Sequence, residues 1–273
     1  MLAARVATAL VLLAVLLPTL FALPPLAWGV VTLAFLAVGA WEWTRMLPAP
    51  APARLAALAL ALAGGAALAW RTVAPWPSGV LVGGCVMLGL FWALAGAARL
   101  RRHEARTGGW GLAAVLLFGC WLALYELRLL GPVQLLSSMA VVWVADIAAY
   151  FAGRAFGRHK LAVSISPGKT WEGAIGGAAA VVLLGMVAAQ FAQTADSLPA
   201  LLVRQAGWPV AVLALAGLTA LSIVGDLHES LIKRQAGVKD SGWILPGHGG
   251  VLDRIDALIP TMPVALLLFR WLG

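Results

Sequence analysis

Between Ser230 and Asp256 the chain gathers Asp240, Asp253 and Asp256, the bases Lys233, Arg234, Lys239 and Arg254, His248 and five glycines within 27 residues. Only 11% of the whole chain is charged. Charge so dense beside membrane-grade apolar sequence is expensive unless it binds something. Gly247, Gly249 and Gly250 let the backbone approach a ligand closely, and lysine and arginine suit phosphate oxygens. Asp253 and Asp256, three apart, suit a hard divalent cation. The chemistry implied is metal-assisted handling of phosphates at a membrane.

A second acidic pair precedes this segment. Asp226 and Glu229 are also three apart, so on a helix both project to one face with Ser230 beside them. If the intervening chain folds back, the four carboxylates converge. A purely structural network, with the acids neutralised by Lys233, Arg234 and Arg254, is the competing reading. The glycines flanking His248 favour metal binding, since they give up chain entropy for access. Carboxylates without a Cys/His cluster point to Mg²⁺ or Mn²⁺ rather than zinc. His248 itself reads equally as a general acid/base, a phosphate donor or a packed loop residue.

Another candidate is Ser166-Pro167-Gly168-Lys169-Thr170-Trp171-Glu172-Gly173. A P-loop would require a glycine five residues before Gly168, and position 163 is Val. Without that motif, Lys169 and Thr170 are still placed for phosphate contact, because Glu172 and Gly173 open a helix whose N-terminal amides favour anions. Asp146 lies within an apolar span, four residues before Tyr150 and eight before Arg154, and should face the protein interior or a polar cavity. Gly153 and Gly157 have the spacing of close helix packing. Trp41-Glu42-Trp43 reads as an interfacial aromatic anchor, although an intramembrane glutamate is a functional candidate by default.

These residues need elements to position them. The chain is 62% hydrophobic with a mean hydropathy of +0.95, so lipid must be the solvent for most of it. The pattern predicts an all-α, polytopic integral membrane protein with about nine transmembrane helices, near 5–22, 26–46, 54–73, 78–98, 109–127, 133–152, 172–194, 207–226 and 256–272. With the N-terminus inside, fifteen of the nineteen basic residues fall on the inner side, leaving Arg71, Arg128, Arg204 and Arg270 outside. The polar loops 153–171 and 227–255 then face the cytoplasm, and loops of that length are usually functional. Eight of the eleven acids follow position 140. Residues 1–130 therefore read as a lipid-facing scaffold and 131–273 as the catalytic region.

Several classes are excluded. No basic stripe sits on a soluble fold and no aromatics alternate with the bases, so nucleic acid is not an expected partner. The net charge of +8 serves topology and attraction to anionic headgroups. Cys85 and Cys120 lie inside spans and imply neither disulfide nor zinc. The first span resembles a signal peptide, but no small-residue cleavage site follows, so it reads as a retained helix.

The segment Ser230 to Asp256 resembles the signature of the phosphatidate cytidylyltransferases, or CDP-diacylglycerol synthases. That signature runs Ser-x-apolar-Lys-Arg, four residues, Lys-Asp, then Pro-x-His-Gly-Gly-x-x-Asp-Arg-x-Asp. The likeness extends through Gly225-Asp226, through Ser166 to Gly173, through Asp146 with Ala149-Tyr150, and more weakly to Trp41-Glu42-Trp43. Ile147, Val163 and His228 depart from residues usual in the family. The resemblance implies transfer of the cytidylyl group of CTP to phosphatidic acid, with Mg²⁺ required, in the cytoplasmic (inner) membrane, and a homodimer. It implies that Asp226, Asp253 and Asp256 hold the metal, while Lys233, Arg234, Lys239 and Arg254 neutralise the triphosphate. It further implies that the Gly247 to Gly250 turn presents N–H groups to a phosphate, and that Ser166, Lys169 and Thr170 serve lipid phosphate or nucleotide. Asp146, Glu172, Glu229, Ser230 and Asp240 complete the expected substrate-binding set.

Three alternatives are weighed. A CTP-dependent enzyme acting on another lipid, such as a polyprenol kinase, would share the headgroup chemistry. An ion-coupled transporter would place Asp146, Asp226 and Asp253 near the midplane. The Asp-Gly-x-x-Ala-Arg motif expected of phosphatidyltransferases is absent.

Overall fold

The computed structural model describes residues 2–48 and 53–273. Part of the proline-marked connection at 47–52 lies outside the described residues. The helices in chain order are α1 (Leu2–Phe21), α2 (Pro25–Arg45), α3 (Ala53–Val73), α4 (Ser78–Leu90), α5 (Ala97–Arg102), α6 (Gly109–Leu130), α7 (Pro132–Phe156), α8 (Trp171–Ala188), α9 (Leu198–Ala236), α10 (Leu252–Ile255) and α11 (Leu258–Leu272). A π-helical turn, Phe91–Gly96, joins α4 to α5 without a break. Among the described residues eight helical stretches are long and apolar enough to cross a membrane, and α1 adds a shorter apolar helix. The molecule is an all-α, multi-pass membrane protein, close to the nine spans expected.

Local chemistry explains the helix limits. Pro25 and Pro132 start α2 and α7, where a missing N–H costs nothing. The Thr170 hydroxyl accepts from Gly173 N at 3.1 Å and caps α8. Ser197 caps α9 through Ala200 N. Helix α9 breaks at Gly207 (φ 79°) and resumes before Pro209.

Two expectations about the loops are corrected. The stretch 227–255 is not all loop, because α9 continues to Ala236 and ends at Gly237 with φ 73°. Charge marked that stretch as polar, but no helix breaker intervenes before Gly237. The loop 153–171 is also structured: α7 reaches Phe156, and β1 (Lys160–Ala162) pairs antiparallel with β2 (Ser166–Thr170), Lys160 opposite Thr170.

Helix α6 lies at the centre, with Leu116, Leu117, Cys120 and Trp121 fully buried. Trp121 Nε1 donates to Gly29 O and Trp28 Nε1 to Leu124 O, fastening α2 to α6. At the far end of α6, buried Glu126 accepts from Arg71 Nε at 2.9 Å and Arg270 Nη2 at 2.6 Å. That carboxylate joins α3, α6 and α11. Helices α7 and α8 pack backbone to backbone: a Cβ on Gly173 or Gly177 would stand 2.8 Å from a carbonyl oxygen of α7. Gly153 and Gly157 contribute to the same seam, as their spacing indicated.

Candidate active site

One cavity of about 560 Å³ is bounded by α7, the β1–β2 hairpin, α8, α9 and the start of α10. Every wall except α8, which contributes only Gly173, Ala174 and Gly177, delivers a polar side chain. Helix α7 contributes Asp146, Tyr150 and Arg154, which share one face at successive four-residue steps. The hairpin contributes Ser166 and Lys169, and Thr170 stands at the α8 cap. Helix α9 contributes Asp226, and the α10 turn contributes Asp253, Arg254 and Asp256. Eight of the residues singled out in the sequence thus line one cavity.

Close helix contact makes this convergence possible. A Cβ on Gly225 would lie 2.5 Å from Asp256 O and 2.7 Å from Pro260 Cγ. Only glycine permits α9 to touch the α10–α11 junction there, which sets Asp226 beside Asp256.

Ion pairs define the electrostatics. Lys169 Nζ is 2.5 Å from Asp226 Oδ2, linking the hairpin to α9. Lys233 Nζ is 2.6 Å from Asp253 Oδ1 and also pairs with Glu229 one turn back. Ser230 Oγ donates to Asp226 Oδ1 at 3.3 Å. The other oxygen of Asp253 accepts from Ser241 N (3.0 Å), Ser241 Oγ (3.0 Å) and Gly250 N (2.9 Å).

Other expected residues are placed elsewhere. Glu172 does not line the cavity; it accepts from His159 N at 3.2 Å and lies 2.6 Å from His159 Nδ1, closing the base of the hairpin. Glu229 is turned to Lys233. Arg234 Nε donates to Ile165 O, fixing the hairpin to α9. Lys239 and Asp240 are exposed on the turn after Gly237. The glycine turn spends its groups internally: Gly250 N serves Asp253, His248 N serves Leu245 O, and Arg5 Nε donates to Gly247 O. Gly249 O accepts from Leu245 N, and His248 O accepts from Arg254. Of the turn's N–H groups, His248 N and Gly250 N are therefore taken within the loop, where they shape it around Asp253.

The expected metal ligands require a similar distinction. Asp226, Asp253 and Asp256 share the cavity wall, but among the described residues no three Asp, Glu, His or Cys side chains close into a ready-made cage. Asp226 and Asp253 each face a lysine instead. The donor set nevertheless fits a hard cation, being oxygen-only with neither thiol nor imidazole on the wall.

Tyr150 and Arg154 also line the cavity, with Arg154 Nη1 donating to Tyr150 Oη at 3.2 Å. Their four-residue spacing from Asp146 was the available signal. His228, by contrast, is buried between Trp43 and Trp92, at ring separations of 5.8 and 5.2 Å. It packs as an aromatic would.

A membrane cavity walled by carboxylates, a lysine and two arginines is the site of a phosphate-handling membrane enzyme. The sequence model described as "Cytidylyltransferase family" matches residues 3–272, so the chain belongs to that family. It is 38% identical over 97% of its length to a phosphatidate cytidylyltransferase of Pseudomonas aeruginosa, covering 95% of that protein. It is 45% identical to the Brucella suis protein of the same name, over 66% of this chain and 65% of the other. A chloroplastic phosphatidate cytidylyltransferase 5 of Arabidopsis thaliana is 42% identical over 52% of this chain and 33% of its own.

Proposed function

We propose that this chain transfers the cytidylyl group of CTP to phosphatidic acid, giving CDP-diacylglycerol and pyrophosphate. A single observation carries the reading: acids and bases from four elements face one cavity at the ends of spanning helices, in a chain that belongs to the cytidylyltransferases. An oxygen of the lipid phosphate forms the new bond to the α-phosphorus of CTP. The bond from that phosphorus to the bridging oxygen breaks, and pyrophosphate leaves with the electron pair. The attacking oxygen is already ionised at neutral pH, so positioning and charge neutralisation suffice and no strong general base is needed.

The chain's residues divide this work. Lys169 of the hairpin and Arg154 of α7 neutralise phosphate oxygens. Lys233 holds Asp253 in place and balances Glu229. Asp226, Asp253 and Asp256 would hold Mg²⁺, with Mn²⁺ as a substitute. When bound, such a cation supplies neutralisation of charge developing on the triphosphate. Asp146, Ser166 and Thr170 orient the two phosphates from the remaining walls.

Topology follows the charge distribution of the sequence. The cavity opens to the cytoplasm, the N-terminus lies inside, and the enzyme sits in the inner membrane among lipids that supply its acceptor and take its product. A homodimer completes the reading.

The test crosses nucleotides with acceptors. Purified protein with Mg²⁺ should release pyrophosphate from CTP with phosphatidic acid, and little or none with UTP, ATP or a polyprenol acceptor. Release with polyprenol but not phosphatidic acid would move the chain to the other lipid class.

A further inference from the structure

Glu42 is wholly buried in α2, 199 and 210 residues before Ser241 and Leu252, the residues it contacts. Among the described residues no lysine, arginine or histidine forms an ion pair with it. A buried carboxylate without a cation is costly and is retained only where its hydrogen bonds matter. Its Oε2 accepts from Leu252 N at 2.8 Å and from Ser241 Oγ at 3.1 Å, while Oε1 has no partner.

The surrounding loop is shaped for this carboxylate. A Cβ on Gly250 would stand 2.6 Å from Glu42 Oε2, and one on Gly242 would collide with Oε1. Ser241 has one hydroxyl proton, and it lies between Glu42 and Asp253 Oδ2, 3.0 Å away. Leu252 N begins the turn on which Asp253 sits. On the outside of the loop, Arg45 lies over the rings of Trp41 and Trp243 at 4.6 and 4.9 Å. The end of α2 therefore grips the chain on both sides of Gly242, and Asp253 inherits its orientation from that grip.

We propose that Glu42 is a positioning residue of the reaction: it fixes the 237–251 loop and the α10 turn so that Asp253 presents one oxygen to the cavity. The inference rests on the reading that Asp253 acts on the nucleotide or its cation. It gives the first two helices a part in catalysis beyond filling the bilayer.

Four single variants of the protein in detergent, with one double variant, decide it: Glu42→Ala, Glu42→Gln, Gly250→Ala and Asp253→Asn. In Glu42→Ala the Mg²⁺ concentration for half-maximal turnover should rise about tenfold or more and kcat should fall about as much, with KM for lipid nearly unchanged. Glu42→Gln keeps an oxygen for Leu252 N and should recover most of kcat. Apart from turnover, Mn²⁺ binding followed by electron paramagnetic resonance should weaken in Glu42→Ala, and amide exchange across 238–253 should accelerate. The Glu42→Ala, Asp253→Asn double variant should be no worse than Asp253→Asn.

Wild-type Mg²⁺ dependence, Mn²⁺ affinity and exchange in Glu42→Ala would overturn the proposal. Should that variant fail to fold, Gly250→Ala intrudes on the same junction from the loop side. It must then reproduce the Mg²⁺ shift, and a normal Mg²⁺ dependence there would equally overturn the proposal. If the wild type transfers no cytidylyl group, the functional reading fails by itself, while the Mn²⁺ and exchange measurements still decide the role of Glu42.

Discussion

Gly225 lies against the carbonyl oxygen of Asp256, close enough that a Cβ would stand 2.5 Å from it. This contact docks α9 on the α10–α11 junction and sets Asp226 and Asp256 on one cavity wall. The backbone of one residue therefore decides whether two acids 30 positions apart can act together. Gly225→Ala should cost about 1–3 kcal/mol of stability by overpacking. It should also lower turnover more than its loss of thermal stability explains, read by comparing activity with a melting curve in the same detergent.

Asp253 is the most heavily bonded acid of the cavity, with Lys233 on one oxygen and three donors on the other. Asp253→Asn keeps the shape but halves the acceptor capacity and removes the charge. Turnover should fall by about 10²–10³ or more while the protein still inserts in the membrane. Retained activity would remove Asp253 from the cation site.

Lys169 and Asp226 are joined at 2.5 Å across the gap between hairpin and helix. Lys169→Ala and Asp226→Ala should each impair turnover strongly, and the double variant should lose less than the sum of the two. Lys169→Arg should rescue poorly, because a planar fork does not replace a compact ammonium ion. Strict additivity would show that the pair does not work as a unit.

Glu126, Arg71 and Arg270 form an ion cluster at the end of α6, on helices remote from the cavity. Glu126→Ala leaves two arginines without their counter-ion, so stability should drop by about 3–5 kcal/mol. KM values for both substrates should stay at wild-type levels in the folded fraction. A shift in KM with no change in melting temperature would contradict a purely structural cluster.

Thr170 has two tasks, since it lines the cavity and caps α8. Thr170→Ser keeps both, whereas Thr170→Val should cost about 1 kcal/mol through the lost cap and reduce turnover as well. Equal turnover in the two variants would confine Thr170 to capping.

Much of this protein was legible in its order of residues. Hydropathy is a local property, so a window of about twenty residues suffices to place a spanning helix, and eight of the nine expected spans coincide with long apolar helices among the described residues, although α9 runs well past 207–226 at both ends. The chemistry-bearing side chains were equally visible, because acids and bases in lipid-grade sequence are conspicuous. Asp146, Ser166, Lys169, Thr170, Asp226, Asp253, Arg254 and Asp256 all reached one cavity.

What escaped the sequence depends on who meets whom. Glu172 has the composition of a ligand, but the return of the hairpin gives it to His159, 13 residues back. The glycine turn seemed made for phosphate, but two of its N–H groups, those of His248 and Gly250, close on Leu245 and Asp253. Glu42 bonds to residues 199 and 210 positions away, and nothing local in Trp41-Glu42-Trp43 announces it. Such pairings are fixed by how the helices rotate and slide when their small residues come into contact, as at Gly225, Gly173 and Gly250. Composition sets which side chains need a partner; only packing over the whole chain selects the partner each one receives.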